Sequence, residues 1–75
     1  MTIELLTTLG CHLCDQALEL VNRAAPQLQV VLVDIAEEDA MIEQYGELIP
    51  VLRKGQQELR WPFSLLDVRS FVAGL

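Results

Sequence analysis

Gly10-Cys11-His12-Leu13-Cys14 sets two cysteines three positions apart where the chain changes its periodicity. Upstream, Thr2 to Thr7 places Ile3 and Leu5 on one face, the alternation of a strand. Thr8-Leu9-Gly10 breaks that pattern. Downstream, from Cys11 to about Ala24, the apolar residues Cys14, Ala17, Leu18 and Val21 recur at helical spacing until Pro26 stops them. The pair is therefore expected where a strand hands over to a helix. Residues i and i+3 at a helix start have α-carbons about 5–6 Å apart, inside the reach of a disulfide. A bridge closing so short a loop removes little entropy from the unfolded chain, so it is a poor staple. The spacing points to reactivity instead.

At a helix N-terminus the first backbone N–H groups lack intrahelical partners, and the dipole favours negative charge. A Cys11 thiolate placed there is stabilised by both. Free cysteine, with a pKa of ~8.5, is only about 3% thiolate at pH 7. A fall to ~6.5 makes it roughly three-quarters thiolate and takes about 2.7 kcal/mol. The dipole alone supplies ~0.3–1 kcal/mol at an exposed site, so the rest must come from hydrogen bonds to the sulfur. Asp15 is the only charge adjacent to the pair and opposes the shift. A lowered but not extreme pKa is expected for Cys11.

Cys14 falls one turn inward, on the apolar face with Ala17 and Leu18. It is the expected resolving thiol, displacing Cys11 from a mixed disulfide. Two other readings of the pair stay open. Both cysteines could be small core hydrophobes. Cys11, His12 and Cys14 could also be metal donors, but a closed zinc site takes four ligands and the chain has no other Cys or His. A carboxylate or a second subunit would have to complete it, and an iron–sulfur cluster bridging two copies through Cys11 is the related alternative. His12 is expected to be exposed.

Beyond the first helix, Gln29 to Ile35 holds the continuous run Val30-Val31-Leu32-Val33, suited to a strand buried on both faces. Asp34 to Tyr45 reads as a short acidic helix, with Glu37, Glu38 and Asp39 near its positive end and Gly46 placed for a left-handed cap. Leu48–Arg53 and Gln57–Trp61 flank a Lys54-Gly55-Gln56 turn and predict a hairpin. Pro50 interrupts its first strand, where proline removes a ladder donor, and that conflict marks a candidate functional position. Ser64 and Asp67 form a candidate capping box, opening a last helix with Leu65, Val68, Phe71 and Val72 on its apolar positions. The predicted order is β-α-β-α-β-β-α. Its opening βαβ unit requires a parallel pair with a right-handed crossover, and the helices are expected on both faces of the sheet.

Composition narrows the function classes. A chain of 75 residues that is 52% hydrophobic is expected to fold as one domain, residues 1–75, near the lower limit for an unstapled core. The formal charge is −6, and the five basic residues are scattered from Arg23 to Arg69. A nucleic-acid surface needs clustered Lys and Arg, so no nucleic-acid partner is expected. No apolar run is long enough to span a bilayer, and no basic segment followed by an apolar one opens the chain. A cytoplasmic, membrane-free, monomeric domain is the expectation. The acidic stretch from Asp34 to Glu47 is expected to be solvated.

With the dithiol, the order of elements and Pro50 in place, the sequence resembles the glutaredoxin branch of the thioredoxin superfamily, from Thr2 to about Val72. The carriers are Cys11-His12-Leu13-Cys14, the Tyr45-Gly46 helix ending, and Ile49-Pro50-Val51. Gly10-Cys11-x-Leu13-Cys14 looks, more narrowly, like a group of small bacterial glutaredoxin-like proteins without a well-defined substrate. The resemblance implies an α/β thioredoxin fold with a four-stranded mixed sheet. It also implies a cis Ile49-Pro50 peptide facing the dithiol, with the Ile49 backbone pairing with the substrate.

By the same resemblance, Cys11 and Cys14 would be the catalytic pair, and His12, Leu13, Ile49 and Pro50 would contact substrate. The partner would be a thiol- or disulfide-bearing protein or a small thiol, with no cofactor bound and glutathione as reductant or co-substrate. The chain departs from the family in having His12-Leu13 for Pro-Tyr, and Thr7-Thr8 where a basic residue is usual. It also has Arg60-Trp61-Pro62-Phe63-Ser64 where Gly-Gly precedes the polar residues that hold glutathione's γ-glutamyl carboxylate. Trp61 and Ser64 are the groove candidates at that departure. Three functions remain: a thiol–disulfide oxidoreductase, a non-catalytic binding or adaptor module, and an iron–sulfur or metal-binding module.

Overall fold

A computed structural model describes residues 1–75. Its elements are β1 (Thr2–Thr7), α1 (His12–Ala24), β2 (Gln29–Asp34), a 3₁₀ turn (Ile35–Glu37), α2 (Asp39–Tyr45), β3 (Val51–Lys54), β4 (Gln57–Arg60) and α3 (Leu65–Ala73). The four strands form one sheet in the order β2-β1-β3-β4. β1 runs parallel to β2, from Thr2 opposite Gln29 to Thr7 opposite Asp34, and antiparallel to β3. The α/β class, the order of elements and the mixed four-stranded sheet of the thioredoxin fold are thus as the sequence predicts.

Alternation along the central strands divides the interior in two. On one face Ile3 and Leu5 of β1 and Leu52 of β3 pack with Ala17, Val21 and Ala24 of α1 and Val68 of α3. On the other face Leu6 and Val51 meet Ile35 and Tyr45. Helices therefore cover both faces because successive residues of β1 and β3 point to opposite sides. Each fully buried leucine contributes about 1.5–3 kcal/mol by leaving water.

Several local expectations are corrected. β2 lies at the sheet's edge and is not buried on both faces: Val31 is 42% and Leu32 56% exposed. The Val30–Val33 run signals β propensity, and nothing local to it says which strand will have a neighbour on one side only. The single helix expected over Asp34 to Tyr45 is two pieces, the 3₁₀ turn and α2, separated at Glu38, whose φ of −136° and ψ of 129° are extended. Asp34 nucleates the first piece by accepting the Ala36 N–H at 2.9 Å. Only Asp39 of the three acids then lies in the first turn of α2.

Gly46 does not adopt a left-handed cap. Its φ is −51° and ψ −36°, and the chain continues right-handed, with the Leu48 and Ile49 N–H groups donating to the Tyr45 carbonyl. A Cβ at Gly46 would stand 2.6 Å from the Ile42 carbonyl oxygen, so glycine answers a close approach and not a positive φ.

The hairpin strands are shorter than expected. β3 starts at Val51, so Pro50 precedes the strand and interrupts nothing, while β4 ends at Arg60. Lys54 pairs with Gln57, leaving a two-residue turn at Gly55-Gln56. Gly55 has φ 62° and Gln56 is not left-handed, the pattern of a II′ turn.

The last helix opens as the sequence predicts. The Ser64 hydroxyl accepts the Asp67 N–H at 3.1 Å and Asp67 accepts the Ser64 N–H at 2.8 Å. Only Val68 of α3 is fully buried, so this short helix leans on its cap. Ser64→Ala is expected to cost about 1 kcal/mol. On a domain this size the melting midpoint should drop by about 4–8 °C, and an unchanged thermal melt would show that the cap does not hold α3.

Candidate active site

Cys11 is the N-cap of α1, with extended φ −88° and ψ 100°, and the helix begins at the residue after it. Gly10 makes this entry sharp, taking φ 77° between β1 and the cap. Cys11 and Cys14 are joined as a disulfide, with α-carbons 5.2 Å apart. The Cys14 N–H donates to the Cys11 sulfur at 3.2 Å. The remaining first-turn amides, those of His12 and Leu13, have no partner within the chain. One sulfur thus sits among donors that stabilise negative charge.

The two sulfurs differ in access. Cys11 is half-buried, whereas Cys14 is 3% exposed and lies on the face of α1 with Ala17, Val21 and Ala24. His12 and Leu13 stand between them on the surface, Leu13 47% exposed. Attack from outside therefore reaches Cys11, and Cys14 is approached through Cys11. No three His, Cys, Asp or Glu side chains converge as a metal site.

Pro50 reaches the same end of the sheet through strand pairing. Leu6 lies opposite Val51, so Pro50 stands one position further, beside the chain that leads from β1 into α1. It is fully buried, and the Ile49-Pro50 peptide is cis. The Pro50 carbonyl accepts the Trp61 N–H at 3.2 Å. Ile49 donates its own N–H to Tyr45 at 3.1 Å, while its carbonyl has no partner in the chain. Of the two Ile49 backbone groups, the carbonyl is the one open to a ligand.

The groove candidates of the hairpin end are differently employed. Trp61 is half-buried and meets Phe63 edge to face, with centroids 5.0 Å apart. It lines a shallow recess with Gln16, Glu19, Leu20 and Arg23 of α1. The Trp61-Pro62 peptide is also cis, which the sequence reading does not anticipate. Ser64 uses both its hydroxyl and its N–H in the capping box of α3.

A polar cluster behind Pro50 is absent from the sequence reading. The Tyr45 hydroxyl donates to the Glu58 carboxylate, tying the end of α2 to β4. Arg53 lies 5.9 Å from the Tyr45 ring centroid and donates to Glu4 at 2.9 Å. That bond to Glu4 raises the Arg53 pKa, burial opposing it, so the guanidinium stays charged. Tyr45 also receives the Leu48 and Ile49 amides, so the cluster anchors the turn that delivers Pro50. Residues 4, 45, 53 and 58 are distant in sequence, and no local pattern announces their meeting.

The family model for the Glutaredoxin-like domain (DUF836) matches residues 2–73. Northeast Structural Genomics target protein XcR50 from X. campestris has an X-ray structure that is 34% identical, covering 97% of each chain, with a TM-score of 0.86. Its solution structure gives the same identity and TM-score over 100% of this chain and 96% of that one. A malarial protein, 12% identical, shares the fold at a TM-score of 0.61 over 97% of this chain and 93% of its own. None of the curated proteins matches this chain. No helix is long and apolar enough to cross a membrane.

Proposed function

This chain belongs to the glutaredoxin-like domain family and is built as a thioredoxin-fold redox module, and from that premise we propose that it is a thiol–disulfide oxidoreductase. The observation that carries the proposal is the unequal pair. Cys11 is an accessible N-cap sulfur receiving an N–H bond, and Cys14 is a covered sulfur already bonded to it.

The exchange runs as two displacements. The Cys11 thiolate attacks one sulfur of a substrate disulfide, forming a mixed disulfide and releasing the other sulfur as a thiolate that takes a proton. Cys14 then loses its proton and attacks the Cys11 sulfur, closing the Cys11–Cys14 disulfide and releasing the second substrate thiol. Two electrons pass from the dithiol to the substrate, and the Cys11–Cys14 disulfide form is the product. A dithiol, or two monothiols, returns the protein to its reduced form by the reverse steps.

The chain's own residues have distinct parts. The Cys14 N–H that touches Cys11 would hold charge on the attacking sulfur, the free amides of His12 and Leu13 adding to it. Leu13 and the Ile49 carbonyl would meet the substrate beside the sulfur, and the buried Pro50 would fix the Ile49 backbone that presents this carbonyl. Glutathione fits this scheme as a small-thiol reductant more readily than as a tightly held co-substrate. Ser64, the candidate nearest its family site, has its polar groups committed to the cap.

A redox titration against glutathione buffers, read by mass spectrometry, tests the proposal. The pair should interconvert between dithiol and a single internal disulfide, and Cys11 should alkylate with a pH midpoint below the ordinary thiol value. A pair that never closes its bridge under oxidising buffer would leave the fold as a binding or adaptor module.

A further inference from the structure

Between the first turn of α1 and the end of β2 lies an open groove of about 280 Å³, lined by Thr8, Leu9, Gly10, Asp15, Leu32 and Asp34 among others. Gly10 and Asp15, the chain neighbours of Cys11 and Cys14, both line it, so the groove flanks the start of the helix that carries the pair. Its apolar side chains are unusually bare: Leu9 is 91% and Leu32 56% exposed. Its two ionisable groups are both carboxylates, and no Lys or Arg lines it.

Neither carboxylate is neutralised within the chain. The three ion pairs join Arg23 to Glu19, Arg53 to Glu4 and Arg60 to Glu58. Asp34 is held in place, one oxygen accepting the Thr8 hydroxyl at 3.1 Å and the Ala36 N–H at 2.9 Å. The groove thus offers oriented negative charge beside uncovered leucine, at the helix start that carries the sulfur a substrate must reach.

We propose that this groove selects the substrate, receiving the residues that flank a cysteine in a polypeptide disulfide. An apolar side chain covers Leu9 and Leu32, and a Lys or Arg faces Asp15 and Asp34. The inference rests on the disulfide-exchange reading and narrows it to a class: cationic polypeptides over acidic small thiols. Glutathione, with two carboxylates and one ammonium, brings net negative charge towards two unpaired aspartates. A second copy of this chain is disfavoured as occupant on the same ground, because each copy carries a formal charge of −6. Complementary charge at such a rim acts mainly on encounter rate and partner choice, and it fades with salt.

Two peptides test the groove without any turnover. Both carry leucine near a central serine standing in for cysteine; one has Lys flanking it and the other Glu. Each is titrated into the oxidised protein and followed by amide chemical shifts. An exposed ion pair is worth roughly 1.5- to 5-fold in affinity, so two should give the Lys peptide about a fivefold advantage at low salt. Its shifts should centre on Thr8, Leu9, Gly10 and Leu32. The advantage should shrink to about twofold or less at about 0.5 M salt, where screening acts within a few ångströms.

Asp15→Asn with Asp34→Asn should erase the preference. Asn at position 34 keeps an acceptor for Thr8 and Ala36, and the exposed Asp15→Asn alone, which should halve the preference, serves if the double variant is unstable. Equal binding, preference for Glu, shifts confined to another face, or no binding by either peptide overturns the proposal. The cysteine disulfide forms of the two peptides separate it from the reading beneath it. Equal reduction of both with no binding preference leaves exchange standing and removes the groove. Selective binding without reduction keeps the groove and removes exchange.

Discussion

Cys11→Ser should abolish disulfide exchange, lowering the rate by roughly 10³-fold or more, because a hydroxyl at the helix cap supplies no thiolate to attack. The folded state should survive, since Cys11 is half-buried and serine caps helices well. Circular dichroism and the melting midpoint of the reduced proteins would verify that. Cys14→Ser should behave differently. It keeps the attacking sulfur and loses the one that releases it, so a mixed disulfide with a small disulfide reagent should accumulate as a mass adduct. The asymmetry between the two variants is the decisive result. A Cys11→Ser protein that still forms adducts through Cys14 would reverse the roles given to the two sulfurs, and equal activity in both single variants would dissolve them.

Leu52→Ala should have the largest effect on stability. Leu52 is fully buried at the centre of the sheet, opposite Leu5 on one side and Leu59 on the other, in the cluster that joins α1 and α3 to the sheet. Truncating such a leucine costs about 2–5 kcal/mol, from lost transfer energy and the cavity left behind. A domain of this length has a total stability of only about 4–11 kcal/mol. A loss of ~3 kcal/mol should lower the melting midpoint by about 12–24 °C. Leu32→Ala on the edge strand, where the side chain is 56% exposed, should change it by no more than a few degrees. Equal shifts in the two variants would contradict the arrangement of strands.

The candidate site was legible in the sequence where its parts are local. Cys11 and Cys14 are three residues apart, so helix geometry alone puts one at the cap and the other on the inward face. The Ser64–Asp67 box is local in the same way. Apart from the family resemblance, which implies a cis peptide facing the dithiol, Pro50 was legible only as a residue at odds with its surroundings. That it sits at the dithiol end follows from Leu6 lying opposite Val51, a pairing across some forty-five positions that no window of sequence contains. The Tyr45–Glu58 and Arg53–Glu4 contacts behind it were invisible for the same reason.

The edge position of β2 is hidden in the sequence for the same reason. Val30-Val31-Leu32-Val33 has the composition of a central strand, yet β1 takes β3 as its other neighbour and leaves β2 outermost. Gly46 differs: its type suggests a left-handed cap, but it is needed because the Ile42 carbonyl, four residues back, approaches too closely for a Cβ.

By itself the sequence determined the class of fold, the order of its elements and the place of the reactive pair. Period-two and helical spacing, glycine, proline and capping residues act over a few positions, and their effect is the same wherever the segment finally lies. Tertiary structure decided which strand stands at the edge, which leucines face water and which carboxylates remain unpaired beside the disulfide. Those outcomes depend on how distant segments share the available surface, because burying one side of β1 against β3 leaves only the other for β2.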